Sequence, residues 1–185
     1  FVQGSFKDYD TVYNFGKNLK KITIEIEHVN VEALIQLEKE GKTIYPKPAV
    51  LQIIQDKGKQ KSFYATNDLP TAPFTLLSNL QEVLAGIQNG TITYPFVQKS
   101  CTAGYDGKGV AVIRNANDLP KLLEGACVIE QLIDFEKELA VIVARDVDGK
   151  TTCFPAVEME FHPVANLVEF LLAPAIISEQ AAAKA

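Results

Sequence analysis

A glycine-rich loop between two apolar runs is the part of this sequence best suited to chemistry. Lys99 ends the first run, the loop contains Gly104, Gly107 and Gly109, and a second apolar run covers residues 110–113. Glycines allow positive φ angles and a close backbone approach, so successive N–H groups can point at phosphate oxygens. The pattern predicts a β-hairpin, rather than the strand-to-helix turn of a P-loop, and a loop that covers the phosphates of a ligand.

Lys108 lies inside the same loop and adds a second positive charge beside Lys99. A hairpin turn that needs glycine and aspartate only for its geometry would show the same spacing. A lysine on the incoming strand together with one in the loop favours the phosphate-binding interpretation over this structural one.

Charged residues elsewhere give weaker signals. Lys57 and Lys61 are four residues apart on a predicted helix and share a side, which suits a phosphate but is also typical of a solvated helix face. Glu130 and Glu138 flank an irregular strand end, which could present backbone groups to an adenine edge and a carboxylate to ribose hydroxyls. From spacing alone, a solvated acidic loop is the stronger interpretation of that segment.

The two histidines form no nucleophilic arrangement. Glu158, Glu160 and His162 alternate on a predicted strand and share a face, but three ligands on one straight strand converge poorly on a metal ion. A metal site is therefore rejected there. His28 follows a strand and could contact a polar ligand at the carboxyl edge of a sheet, although a structural role is the simpler expectation.

Composition sets the broad class of the protein. A chain of 185 residues with 47% hydrophobic and 22% charged side chains is typical of a globular protein with a sizeable core. The net charge of −5 argues against a nucleic-acid or membrane surface. Three widely spaced cysteines predict reduced thiols and a cytoplasmic location. No apolar run is long enough to cross a bilayer, and the start at Phe1 leads us to expect a fragment of a longer polypeptide.

Hydrophobic periodicity predicts a mixed α/β chain (α+β in its later part) that opens with the tail of a parallel α/β unit. The predicted helices cover residues 8–19, with Asp8 as N-cap, and 31–40, 49–67, 79–88, 117–123 and the segment from Ser178 onwards. The predicted strands cover residues 21–27, 43–45, 74–77, 126–132, 139–146, 151–158 and 168–172, besides the hairpin at 94–113.

Five motifs occur in an order and spacing that identify a family. They are Thr-Ile-Glu-Ile-Glu-His-Val-Asn at 23–30, Gln-Asp-Lys with Gln-Lys at 55–61, Pro-Thr-Ala-Pro at 70–73, Gly-Tyr-Asp-Gly-Lys-Gly at 104–109 and Phe-Glu-Lys-Glu at 135–138. With them the chain resembles, over essentially its whole length, the carboxyaminoimidazole ribonucleotide synthetases. These ATP-grasp enzymes of purine synthesis are also called the ATPase subunits of phosphoribosylaminoimidazole carboxylase.

The resemblance implies a role for each matching residue. Lys57 and Lys99 would contact the ATP phosphates and carry catalysis, Glu138 would bind the ribose, and His162 would contact the nucleotide. The lid over the triphosphate would consist of Gly104, Tyr105, Asp106, Gly107, Lys108, Gly109 and Val110. Adenine would be held by Glu130, Gln131, Leu132 and Ile133. Two positions depart from the family pattern: Ala103 replaces a glycine, and the segment 158–162 replaces Glu-Asn-x-His.

The same resemblance implies a central piece of the ATP-grasp fold. Residues 1–48 would end a pre-ATP-grasp parallel α/β domain, 49–73 would form a connecting helix and linker, 74–132 the small lid subdomain, and 133–185 the first part of the large antiparallel catalytic sheet. A glycine-rich loop and an Asn-Glu-x-Ala-Pro-Arg segment of the family have no counterpart in these residues, so the ligands for Mg²⁺ are expected outside this chain.

The implied reaction is an ATP-dependent carboxylation of aminoimidazole ribonucleotide by bicarbonate through carboxyphosphate, with formation of a C–N bond. The piece alone is expected to be inactive. Whether the full-length enzyme forms a homodimer stays open. Two alternatives also stay open: another ATP-grasp carboxylate–amine ligase, and a non-catalytic nucleotide-binding module.

Overall fold

The computed structural model of the chain describes residues 1–102, 104, 109–162 and 167–185. These described residues form two compact units, one within residues 1–132 and the other within residues 133–185. The fold is mixed α/β, with a parallel strand pair first and antiparallel sheets after it. Within the described ranges, none of the helices has the length and apolar character needed to cross a lipid bilayer.

The first unit begins with alternating helices and strands. These elements are α1 (Tyr9–Gly16), β1 (Lys21–Thr23), α2 (Val31–Lys39) and β2 (Thr43–Tyr45). β1 and β2 pair in parallel, and their core is formed by Ile22, Val29, Val31, Leu34, Leu37, Ile44 and Leu51. Asp8 caps α1 by accepting a hydrogen bond from the N–H of Thr11, which confirms the predicted N-cap.

Two predicted elements in this part are longer than the observed ones. α1 ends at Gly16 instead of Leu19, and at Gly16 an added Cβ would lie 2.5 Å from a methyl group of Leu37, so the glycine allows close packing there. β1 ends at Thr23 because its partner β2 is only three residues long, and a turn follows around residues 27–28.

The single helix predicted for residues 49–67 is wrong. The structure has two helices, α3 (Pro48–Ile54) and α4 (Lys57–Thr66), separated at Gln55 and Asp56. The carboxylate of Asp56 accepts hydrogen bonds from the N–H groups of Gly58 (2.8 Å) and Lys59 (3.2 Å). An aspartate in this position satisfies N–H groups that a helix leaves without partners at its start, and it therefore begins a new helix.

The second half of the first unit is an antiparallel sheet. Its elements are β3 (Phe74–Leu77), α5 (Leu80–Gln88), β4 (Phe96–Ser100), β5 (Val110–Ile113), a 3-10 helix (Ala116–Lys121) and β6 (Cys127–Gln131). The strands are ordered β3-β6-β4-β5, which confirms the β4–β5 hairpin. Buried residues of α5 and the sheet form the core, namely Val83, Ile92, Phe96, Ala111, Ile113, Cys127 and Ile129.

The described residues of the second unit form short strands and one helix. They are β7 (Glu138–Ala140), β8 (Val143–Arg145), β9 (Thr151–Cys153), β10 (Val157–Phe161), β11 (Val168–Leu172) and α6 (Glu179–Lys184). The strands predicted for residues 139–146 and 151–158 are each divided in two, because β7 and β10 pair in one sheet whereas β8 and β9 form a separate hairpin. Gly149 turns that hairpin with φ of 85°, as expected from the Asp-Gly pair.

Candidate functional site

Lys99 lies where the sequence predicts it, near the end of β4 and beside the glycine-rich loop. It is opposite Val110 on β5 and Val128 on β6. Glu130 is opposite Val97, two residues before Lys99, so the two charged side chains leave the sheet on the same face. The Lys99 ammonium donates to Glu130 Oε2 at 2.9 Å, and the lysine side chain keeps 32% of its surface exposed.

A second lysine reaches the same carboxylate. Lys61, on α4, places its ammonium 3.1 Å from Glu130 Oε1 and also donates to the Thr71 hydroxyl at 2.5 Å. Its Nζ lies 5.5 Å from the centre of the Phe74 ring, within the range of a cation–π contact. Two ammonium groups therefore share one buried carboxylate, and the three side chains carry a formal charge of +1.

The sequence did not predict this charge cluster of Lys61, Lys99 and Glu130. The sequence pattern indicates for Lys61 only a helix side shared with Lys57, and the family resemblance implies for Glu130 only a place in the adenine-binding segment. A signal was present, however: Glu130 directly follows the apolar run 127–129 in the predicted strand, and a charge in such a strand needs a partner.

Lys57 starts α4 and connects this helix to the loop. Its N–H donates to the carbonyl of Cys101 at 2.8 Å, and its ammonium lies 3.4 Å from the carbonyl oxygen of Gly104. Lys57 and Lys61, both on α4, thus contact the loop at Gly104 and the strand β6 at Glu130, respectively. The structure brings Lys57, Lys61 and Lys99 to groups that surround the base of the loop.

The two ends of the loop are closed by glycines in close contact. Gly109 has φ of 76°, and a Cβ on it would lie 2.8 Å from the Cα of Gly104, so only glycine fits this approach. The carbonyl of Gly109 accepts from the N–H of Ser100 at 2.9 Å, and Val110 then opens β5. The predicted lid residues Tyr105, Asp106, Gly107 and Lys108 lie outside the described residues, and so does Ala103.

Three of the predicted adenine-binding residues line a cavity of about 390 Å³. They are Glu130, Gln131 and Leu132, and the opposite walls include Pro73, Thr75 and Tyr94. The N–H of Gln131 is already engaged with the carbonyl of Pro73 at 3.0 Å. Glu130 is the member of this lining that also belongs to the charge cluster, so the cavity adjoins the cluster at this residue.

The remaining predicted site residues belong to the second unit. Ile133 begins it and is exposed, and Glu138 is a half-buried residue on β7 opposite Met159. His162 follows β10, and its N–H donates to the carbonyl of Leu167 at 2.8 Å. The nucleotide roles of all three stay predictions.

The shared face predicted for Glu158, Glu160 and His162 holds for the two glutamates but is wrong for the histidine. The pairing of β10 with β11 shifts register between Glu160 and Phe161, which breaks the alternation before the histidine. Glu158 is buried and accepts from the ammonium of Lys137 at 2.9 Å, whereas Glu160 is exposed. Among the described residues, no group of three His, Cys, Asp or Glu side chains could hold a metal ion.

Cys101, whose carbonyl accepts from the N–H of Lys57, and Cys127, in the core of the sheet, are both protonated at neutral pH. Burial raises the pKa of the Cys101 thiol, and the negative charge of Asp56 raises it further. Burial likewise raises the pKa of Cys127. A nucleophilic thiolate is therefore disfavoured, and the arrangement is best suited to binding and neutralising an anionic ligand.

Comparison with known protein families assigns most of the chain. Residues 62–185 match the ATP-grasp domain, and residues 1–55 match the ribonucleotide synthetase preATP-grasp domain. The chain is similar to the phosphoribosylaminoimidazole carboxylases of Candida glabrata (37% identity, 85% of this chain and 28% of the relative) and Candida albicans (36% identity, 100% and 33%). It thus spans about a third of the length of these relatives.

Solved structures agree with this assignment. The N5-carboxyaminoimidazole ribonucleotide synthetase of Thermotoga maritima superposes with a TM-score of 0.81 at 32% identity, over 98% of this chain and 45% of that one. The Aspergillus clavatus synthase complexed with ATP gives 0.85 at 29% identity, over 99% and 48%. The same Aspergillus enzyme in complex with ADP and 5-aminoimidazole ribonucleotide gives 0.85 at 27% identity, over 98% and 47%.

Proposed function

The chain belongs to the ATP-grasp family, and on that basis we propose that it is the ATP-binding part of a carboxyaminoimidazole ribonucleotide synthetase. The observation that carries the proposal is the charge cluster of Lys61, Lys99 and Glu130 at the base of a loop closed by Gly104 and Gly109. Its excess positive charge suits a polyphosphate, and the related Aspergillus enzyme is complexed with ATP.

In this proposal Lys57 and Lys99 bind the ATP phosphates. Both lysines lie on regular elements, α4 and β4, so their backbone positions are set before the ligand arrives. Phosphoryl transfer needs positioning and charge neutralisation more than covalent help from the protein, and fixed positive groups supply both. The loop of residues 104–110 would cover the phosphates and exclude water.

Adenine would lie against residues 130–133, with its ribose at Glu138 and a further nucleotide contact at His162. Support comes from the cavity lined by Glu130, Gln131 and Leu132. The proposal divides the chain into the end of a pre-ATP-grasp domain (1–48), a connecting segment (49–73), the small lid subdomain (74–132) and the start of the large subdomain (133–185).

The proposed reaction has two steps. An oxygen of bicarbonate attacks the γ-phosphorus of ATP, which gives carboxyphosphate and ADP. The exocyclic amine of aminoimidazole ribonucleotide then attacks the carboxyl carbon, phosphate leaves, and the amine loses its proton. The family implies Mg²⁺ on the ATP phosphates, but the described residues provide no ligand set for it, so no step is assigned to a metal held by this chain.

The test measures phosphate release by the complete natural protein with ATP, bicarbonate and aminoimidazole ribonucleotide. We expect release that needs all three compounds and that falls at least about tenfold in Lys99→Ala, since a charge-assisted contact to phosphate is lost. Release that ignores aminoimidazole ribonucleotide but needs a different amine would favour another ligase of the fold. ATP binding without any turnover would favour a binding module.

A further inference from the structure

Lys61 is a buried lysine to which the proposed function assigns no contact with the ligand. Only about 9% of the residue is exposed, and its ammonium contacts Glu130, Thr71 and the face of Phe74. Lysine is almost never buried without a partner, because removal of its charge from water costs several kcal/mol. A group retained at this cost calls for an explanation beyond helix packing.

Stability alone is a poor explanation for the contact. A buried ion pair contributes little more than two well-packed apolar side chains of similar volume would. The geometry supplies a better one, because the two oxygens of Glu130 are divided between two lysines. The Lys61 ammonium forms an ion pair with Oε1 at 3.1 Å and Oε2 accepts from Lys99 at 2.9 Å, so Lys61 fixes the carboxylate that in turn holds Lys99.

The charge balance of the cluster also indicates that Lys61 acts on Lys99. With Lys61 present, one carboxylate faces two ammonium groups, and the positive charge of Lys99 is only partly neutralised. Without Lys61, Glu130 and Lys99 would form a simple neutral pair. The exposed third of the Lys99 side chain is the part of the cluster that a ligand can reach.

We propose that Lys61 is a positioning residue, which acts through Glu130 to orient Lys99 and to keep its charge available to the phosphates of a nucleotide. This inference rests on the proposed ATP site and adds to it a residue that does not itself touch the ligand. It predicts an effect on phosphate recognition that is separate from the effect on folding.

The test is a double-mutant cycle on nucleotide affinity in the complete natural protein. Affinities for ATP and for adenosine are measured by competition against a fluorescent adenine nucleotide. Lys61→Met should weaken ATP binding roughly tenfold, the loss expected for one charge-assisted contact, and adenosine binding by less than about twofold. In a Glu130→Gln background, the same Lys61→Met change should alter ATP affinity by less than about twofold, since the residue through which Lys61 acts is gone.

Two further variants separate positioning from loss of structure. Lys61→Arg keeps the charge and should restore most of the ATP affinity. Lys59→Met removes an exposed lysine from the same helix and should leave affinity unchanged. Circular dichroism of each variant checks that the fold is intact.

Three results would overturn the inference. Equal weakening of ATP and adenosine binding by Lys61→Met would show a purely structural role. A full tenfold effect in the Glu130→Gln background would show that Lys61 does not act through Glu130. Absence of ATP binding by the unaltered protein would overturn the proposed function and this inference with it, whereas the first two results leave the proposed function standing.

Discussion

Gln98 offers a direct test of how β4, the strand that carries Lys99, is held in place. Its side chain is fully buried, and its amide nitrogen and oxygen each make a hydrogen bond with the backbone of Leu123. Nε2 donates to the Leu123 carbonyl at 2.9 Å, and Oε1 accepts from the Leu123 N–H at 2.8 Å. The pair of bonds connects β4 to the segment that leads from the 3-10 helix to β6.

Gln98→Leu keeps the approximate volume but removes both bonds. Each backbone group left without a partner in a buried site costs about 1–3 kcal/mol. Because Leu123 is only partly buried, water can reach part of it, and we expect a total loss of about 2–4 kcal/mol. For a protein of this size that corresponds to a fall in Tm of roughly 4–16 °C.

The assay is urea denaturation followed by circular dichroism, which suits a chain without tryptophan. Gln81→Leu, at an exposed position of α5, is the matched control and should change the free energy of unfolding by less than about 0.5 kcal/mol. A loss in Gln98→Leu no greater than in this control would refute the reasoning.

A second substitution, Gln98→Glu, should make the free energy of unfolding depend on pH. A buried carboxyl group has a raised pKa, because burial disfavours its charged form. Its protonated form can still donate to the Leu123 carbonyl, so the variant should be closest to the unaltered protein at about pH 4 and lose stability as the pH rises. A pH-independent difference between the two proteins would contradict the assigned donor and acceptor.

Three further predictions concern other parts of the chain. Asp56→Ala should lower the free energy of unfolding by about 1 kcal/mol, because the N-cap of α4 is lost; denaturation against the exposed variant Asp134→Ala measures this. Gly86→Ala should destabilise by about 1–3 kcal/mol despite the better helix propensity of alanine, since its Cβ would lie 2.6 Å from Ile92; a rise in stability would contradict that close packing. The pKa values of Cys101 and Cys127 are raised in the folded state, so the free energy of unfolding should fall as the pH rises above 9.0, the ordinary pKa of a cysteine thiol; denaturation at pH 8 and 10 measures this. Iodoacetamide should modify the exposed Cys153 before Cys101 or Cys127, which mass spectrometry can follow.

The elements that the sequence predicted well are those whose signals are local. Asp8 caps α1 as expected, and α5 begins where its apolar pattern predicts, directly after its N-cap Asn79. The β4–β5 hairpin likewise follows from two apolar runs around a glycine loop. Each of these signals lies within a few residues of the element that it specifies.

The misses have a different origin, because they depend on partners distant in the chain. The division of residues 139–146 into β7 and β8 reflects pairing with strands in two different sheets, which no local pattern records. The Lys61–Glu130 pair joins residues 69 positions apart. Asp56 is an exception, since its capping signal is local and was hidden by the apolar pattern on its amino-terminal side.

The charge cluster also shows why the site is only partly readable from sequence. A lysine on a helix and a glutamate on a strand are each commonplace, and their spacing gives no sign of contact. Once α4 packs against β6, both are buried and must satisfy one another. Residue type identified Lys99, whereas the fold was needed to identify the carboxylate that orients it.

The most direct test of the account is a calorimetric titration of ATP and GTP into the protein and into Lys99→Met. We expect ATP to bind, GTP to bind far more weakly, and Lys99→Met to lower ATP affinity by at least about tenfold. Circular dichroism of Glu130→Gln, measured in parallel, checks whether the sheet tolerates a change in the charge cluster. Equal binding of GTP and ATP, or unchanged ATP affinity in Lys99→Met, would contradict the assignment of the β4–β5 hairpin as an adenine-nucleotide site.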